Sequence, residues 1–166
     1  MKEVYIQLAA YHVWANKQLF EFISTLPEEQ QLAEIKSSFP GVHATLLHLY
    51  DSEAIWWQRV KMQERIISPA ESFHGNTSEL IYQILRQNRE WQNYITDLQE
   101  HVFLHEFIYF NSRKEKFKQP IYQMLTHVFN HGTYHRGQIV TILRQLGIEK
   151  IPATDFIIWS RRKGIV

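Results

Sequence analysis

Apolar residues recur with a helical period over four long stretches of the chain. Val4, Leu8, Tyr11, Ala15, Leu19, Phe22 and Leu26 keep the three-to-four-residue spacing of one helix face. They predict a first helix of about six turns, stopped before Pro27, which cannot continue one. Leu46, Leu47, Tyr50, Ala54, Trp57 and Val60 predict a second helix from Val42 to about Gln63. Ser68-Pro69 and Gly75-Asn76 bracket a loop. Leu80, Ile84, Trp91, Ile95 and Leu98 then mark a third helix, with capping chemistry from Thr77-Ser78-Glu79.

The pattern changes between Phe103 and Gln119. Phe103, Phe107, Ile108, Tyr109 and Phe110 favour strands and Asn111-Ser112-Arg113-Lys114 suits a turn, so a short β-hairpin is expected. Pro120 suits the first turn of a fourth long helix running to Leu146, with Gly147 as its stop. Thr154-Asp155 suits the cap of a short C-terminal helix containing Ile157, Ile158 and Trp159. Four long amphipathic helices predict an all-α fold, a four-helix bundle formed as one domain over residues 1–166. The long link before the fourth helix leaves room for a crossover, so a simple up-down-up-down order is not required. Trp56 and Leu49 fall off the main stripe of the second helix and suggest a second packing surface, such as a dimer contact.

Composition narrows the chemistry. The 166 residues carry a formal net charge of +1, which gives no electrostatic basis for nucleic-acid binding. The basic run Arg161-Arg162-Lys163 reads as a solvated end. The chain has no cysteine, so disulfides, protein thiol nucleophiles and thiolate metal ligands are excluded, and a metal would need His, Asp or Glu. The opening residues Met1 to Ile6 lack the zones of a signal peptide, and no apolar run approaches the roughly 20 residues of a membrane span. A cytoplasmic protein is expected.

There are nine histidines, and their densest segment is His127-Val128-Phe129-Asn130-His131-Gly132-Thr133-Tyr134-His135-Arg136-Gly137-Gln138. Side chains at i and i+4 share a helix face, and two such imidazoles can bind one divalent ion. At about 100° per residue, Ile121, Leu125, Val128, Gly132, Ile139 and Leu143 define the apolar face. His135 lies about 40° from its centre, His131 about 80° and His127 about 120°. The inward pair is therefore His131 with His135. His127 and His135 are about 12 Å apart along the axis, too far to share an ion. No Glu follows the first histidine, so the H-E-x-x-H protease reading fails. Periodicity leaves two readings open for the pair, a metal site or hydrogen-bonded boundary histidines, and it names no third ligand. His48 lies on a stripe with Thr45, Ser52 and Ile55, which suits either a wet cavity or a partly exposed histidine. His12, His43, His74, His101 and His105 lack comparable spacing and read as surface or structural. Gly137, in a helix interior, suggests close packing against a neighbour. Arg136 suits a structural ion pair or an anionic substrate group. Asp51, one turn after His48, suits either solvent or an acceptor that orients an imidazole.

The segment from Leu125 to Pro152, continued by Thr154-Asp155-Phe156, resembles the C-terminal signature of the DinB-like (damage-inducible, YfiT-related) superfamily. Leu47-His48-Leu49-Tyr50-Asp51 resembles its first histidine segment, and the helix order with a hairpin before the last long helix is similar too. The resemblance implies a four-helix bundle of non-simple helix order, often dimeric, so a homodimer is expected. It also implies a three-histidine metal site with one ligand from the second helix and two from the last long helix. Carried onto this chain, these are His48, His131 and His135, with zinc or nickel as the ion. For function it implies a metal-dependent hydrolase, or an S-transferase using a low-molecular-weight thiol of the bacillithiol type on a small-molecule substrate. The alternative is a non-catalytic metal-binding or stress-linked dimeric helical module.

Overall fold

The computed structural model describes residues 1–111 and 113–162; Ser112 of the expected turn and Lys163 of the basic run lie outside them. Helix α1 (Lys2–Ser24) stops three residues before Pro27. Pro27 instead opens α2 (Glu28–Leu32), a single turn with Glu28 and Glu29 at its start, where acidic residues oppose the helix dipole. This short element was not expected from the pattern, being too brief to show a period. The other long helices are α3 (Gly41–Val60), α4 (Thr77–Asp97) and α5 (Ile121–Gln145).

The cap of α4 is Asn76 rather than Thr77. Its side chain accepts from the Glu79 amide while Glu79 reaches back to the Asn76 amide, a complete capping box. Strands β1 (Glu106–Phe110) and β2 (Lys116–Pro120) form the expected antiparallel hairpin, with Ile108 opposite Lys118. At the end of α5, Gly147 has φ +80°; its amide donates to Arg144 and that of Ile148 to Leu143. This Schellman turn favours glycine. The short α6 (Phe156–Ser160) follows Asp155, whose side chain makes no capping bond. None of the described helices is long and apolar enough to cross a membrane.

In the bundle, α1 packs against α4 and α5, and α3 also packs against α4 and α5. The first two long helices are therefore diagonal to each other, where a simple up-down order would make them neighbours. The apolar core falls into two halves. One gathers Tyr5, Trp91, Ile95, Phe103, Leu125 and Phe129. The other gathers Leu19, Phe20, Leu46, Leu80, Ile84 and Ile139. A polar layer separates them, because each long helix places polar residues near its middle: His12 and Asn16, Glu53, Asn88, and Arg136. Leu49 is buried in the second half-core and Trp56 packs on the first. The second surface expected of Leu49 is thus met within the chain, while Trp56 is only partly buried.

Candidate metal centre

Helix α5 turns its three spaced histidines progressively inward. His127 is exposed, His131 intermediate and His135 buried, the gradient that a 100° rotation per residue dictates. His48 comes from α3, which packs beside α5. His48 meets His131 and His135, whereas Trp56 meets His127. Ascending α3 thus means descending α5, and the two helices run antiparallel.

The three Nε2 atoms converge. His131 Nε2 lies 3.2 Å from His48 Nε2 and 3.0 Å from His135 Nε2. These three are the group of potential metal-binding side chains found together among the described residues. An ion bonding nitrogen at about 2.0–2.1 Å in tetrahedral geometry sets its ligands roughly 3.3 Å apart, close to what the imidazoles already adopt. The donor set is nitrogen only and lacks a carboxylate to neutralise added protons. Burial, then the proximity of His135, His48 and His127, pushes the pKa of His131 down to about 3. Burial, followed by the charge of His135, also lowers that of His48, with Asp51 opposing. Burial lowers His135 against the pull of its bond to Gln138. All three are neutral near pH 7, the state in which imidazole offers a lone pair to a metal.

Gln138 fixes the tautomer of one ring. Its Oε1 sits 2.6 Å from His135 Nδ1, and an amide oxygen only accepts. Nδ1 therefore carries the proton and Nε2 presents its lone pair to the cluster, the outer-shell arrangement typical of metal-ligating histidine. The Gln138 amide nitrogen donates to Tyr134 Oη at 3.1 Å and Ser38 Oγ at 3.4 Å, which keeps the oxygen facing His135. Phe39 stacks flat on His48, with ring centroids 3.9 Å apart, and lies 5.7 Å from His135. The Phe39 segment turns tightly into α3 at Gly41, where φ is +94° and the Ala33 carbonyl fills the space of a β-carbon; only glycine fits there.

Asp51 and Arg136 occupy other places than a ligand shell. Asp51 Oδ1 accepts from Ser68 Oγ at 2.5 Å and from the Ala70 amide at 3.3 Å. It ties the loop after α3 back onto that helix and reaches His48 only through its charge. Arg136, 2 % exposed, points away from the cluster into the polar layer. It donates to Asn16 Oδ1 at 2.8 Å, to Thr133 Oγ1 at 2.8 Å and to His12 Nδ1 at 3.3 Å. His12 in turn contacts Glu53 Oε1 through Nε2 at 3.0 Å, and Asn88 donates to Glu53 Oε2 at 2.6 Å. Arginine cannot accept, so His12 Nδ1 is the acceptor and Nε2–H donates to Glu53. The guanidinium and the carboxylate are thus linked through one neutral imidazole.

Glycine packing also departs from expectation. A β-carbon at Gly137 would meet nothing within 4 Å, whereas one at Gly132 would collide with the His12 ring. The close approach belongs to Gly132, which lets His12 lie against the backbone of α5. Gln138 carries a sequence signal, three residues after His135 on the same helix. Phe39 carries none, since it sits in an aperiodic link. Glu53 and Asn88 are visible as polar residues on inward stripes, but their partners are not.

The sequence model of the DinB family matches residues 1–162. Protein DinB of Bacillus subtilis (strain 168) is 32% identical over an alignment that covers 94% of this chain and 93% of that protein. The fold is similar to that of YfiT from Bacillus subtilis, described as a probable metal-dependent hydrolase with an unusual four-helix bundle topology. That match has a TM-score of 0.69 and 18% identity over 89% of each chain. A DinB-like protein from Bacillus cereus matches with a TM-score of 0.64 and 13% identity, over 84% of this chain and 90% of that one. The chain belongs to the DinB family.

Proposed function

We propose that His48, His131 and His135 hold one divalent metal ion, zinc or nickel, and that this DinB-family chain is a metal-dependent enzyme acting on a small molecule. The observation that carries the reading is the convergence of three Nε2 atoms with 3.0–3.2 Å between neighbours, in rings kept neutral by burial and by one another. Three neutral imidazole nitrogens this close can each turn a lone pair to one cation set among them. A divalent ion on three imidazoles lowers the pKa of a water or thiol that joins it toward neutrality. The protein's part is to hold the His135 ring in one tautomer through Gln138, to wall one side with Phe39 and to leave the His127 side open.

Two nucleophiles suit such a centre. Hydrolysis is supported by the description of YfiT. Thiol S-transfer with a bacillithiol-type cosubstrate is supported by the surroundings of the cluster. Asp51 and Glu53 are the carboxylates nearest to it along α3, and both are already engaged by hydrogen bonds. A thiol, which ionises far more readily than water, has less need of a proton acceptor.

Elemental analysis of untagged protein tests the metal reading. Wild type and His127→Ala should each carry close to one ion per chain, and His48→Ala close to none. Equal metal content in wild type and His48→Ala would overturn the ligand set. Thiol conjugation and ester or amide hydrolysis assays on the loaded protein then separate the two activities.

A further inference from the structure

Arg59 stands eleven residues after His48, close to three full turns, so both project from the same side of α3. Eleven residues span about 16 Å of helix axis. The guanidinium folds back over the Trp56 ring, 4.6 Å from its centre, and 5.3 Å from that of Tyr109. The Trp56 ring is 5.1 Å from that of His127, which is 5.6 Å from that of His131. A continuous shelf of rings therefore leads from the three-histidine cluster to Arg59. It starts on the side opposite Phe39, which covers His48 and His135.

The cation at the end of this shelf is short of partners. Nη2 donates to the Phe110 carbonyl at 3.1 Å, which pins the hairpin to α3. Nε is buried and makes no hydrogen bond. Among the described residues no carboxylate pairs with Arg59. Two carboxylates line the cavity beside Arg59: Glu106 is held by Lys118 at 2.5 Å, and Glu64 forms no ion pair among the described residues. That cavity, about 590 Å³, opens beside Arg59 and is walled largely by apolar groups including Met62, Ile66, Phe107 and Phe110. Pinning a hairpin needs one donor; it does not call for a half-buried charge with no counter-charge, which burial disfavours.

We propose that Arg59 is the anion-recognising residue of the substrate site, and that the substrate is a small organic anion, a carboxylate or phosphate, whose apolar body lies along the Trp56–His127 shelf while its other end reaches the cluster. This rests on the reading of His48, His131 and His135 as a metal centre.

The test uses zinc-loaded protein and a series of ω-mercaptoalkanoates of increasing length, from mercaptoacetate to mercaptododecanoate, beside the matching ω-mercaptoalcohols. Zinc content is measured on every sample first. Binding is followed by calorimetry in wild type, Arg59→Met and Arg59→Lys. In wild type the carboxylate should bind roughly tenfold or more tighter than the alcohol once the chain is long enough, as a charge-assisted hydrogen bond provides. Short members should show no such preference. Arg59→Met should lose the preference while keeping one zinc per chain, and Arg59→Lys should keep part of it. A preference that survives in Arg59→Met, or none at any length in loaded wild type, overturns the proposal. Protein that takes up no zinc overturns the metal reading instead. Should Arg59→Met fail to fold, the comparison rests on Arg59→Lys, where a preference equal to that of wild type overturns the proposal.

Discussion

A cluster of three histidines and a polar network around a single histidine lie on adjacent faces of α5 at nearly the same level, and they are built on opposite plans. His131 and His135 face α3 and meet His48; Gly132 and Arg136, one residue further on, face α1 and meet His12. The His12 cluster is closed. It holds one carboxylate, one guanidinium, two amides and a neutral imidazole, and the side-chain polar atoms of His12, Asn16, Glu53 and Asn88 each find a partner. The His48 cluster is open. It holds three neutral rings with convergent Nε2 atoms and no charged partner. A buried polar network that is fully paired specifies structure, whereas neutral imidazoles turned toward one point suit a metal ion. The closed cluster joins all four long helices, so it registers them against each other. The same α3 and α5 then carry the open cluster in a fixed geometry.

The sharpest way to break this contrast is to open the closed cluster. Glu53→Ala removes the counter-charge of Arg136 and leaves a guanidinium stranded in the core. Breaking a buried pair in this way costs about 3–5 kcal/mol, so the urea midpoint should fall steeply. The folded fraction should still bind metal, since His48, His131 and His135 remain. A loss below about 0.5 kcal/mol, the range of ordinary surface changes, would show that the network is not a fold-specifying one.

The open cluster should respond in affinity instead of stability. Gln138→Leu removes the acceptor that holds His135 Nδ1–H, and outer-shell losses of this kind typically weaken metal binding 10–100-fold. Competition with a zinc chelator measures it. Gln138→Glu, which still accepts, should bind at least as well as wild type. Unaltered affinity in Gln138→Leu would mean that ring packing alone, chiefly Phe39 on His48, orients the ligands.

A smaller effect comes from protons. In the metal-free chain the pKa of His131 falls from 6.5 to about 3, and those of His48 and His135 move the same way. Between those limits the unfolded chain binds protons that the folded chain refuses, so stability rises with pH through this window. It is complete above about 6.5 and lost progressively below. Chelated wild type should therefore lose thermal midpoint between about pH 7 and 5 more steeply than His131→Ala. Because His48 and His131 are only partly buried, solvent screening keeps the difference modest. Parallel profiles would contradict the crowding of the three rings.

Much of this was legible in the chain, and the gaps have one cause. Helical period told which residues turn inward, and the order His135, His131, His127 follows the burial in the structure. Period does not tell what an inward residue meets. Glu53 and Asn88 belong to stripes whose partners lie on other helices, so their pairing with His12 and Asn16 depends on the non-simple helix order. Arg136 is the plainest case. It follows a cluster histidine directly, yet 100° of rotation delivers it to a different neighbour. Leu49 was set aside as off-stripe for the same reason, since α3 is covered on more than one side and its stripe is broader than one seam. The resemblance of the His48 segment to a family motif supplied what periodicity could not, a candidate on a second helix.

The smallest expected effect sharpens the contrast most cheaply, because it compares two glycines five residues apart. Both stand inside α5, where glycine costs roughly 1 kcal/mol relative to alanine. At Gly137 an added methyl meets nothing within 4 Å, so Gly137→Ala should raise stability by up to about 1 kcal/mol. At Gly132 the same methyl strikes the His12 ring, which is held between Glu53 and Arg136 and has little room to give. Gly132→Ala should forfeit the propensity gain and destabilise, with the loss reduced once His12 is also replaced by alanine. That double-mutant coupling would tie Gly132 to the closed cluster. If instead Gly137→Ala destabilises the protein, the open face of α5 beside Gln138 is in contact with something in solution, and a second copy of the chain would be the first occupant to test, by comparing the molecular mass of the two variants in solution.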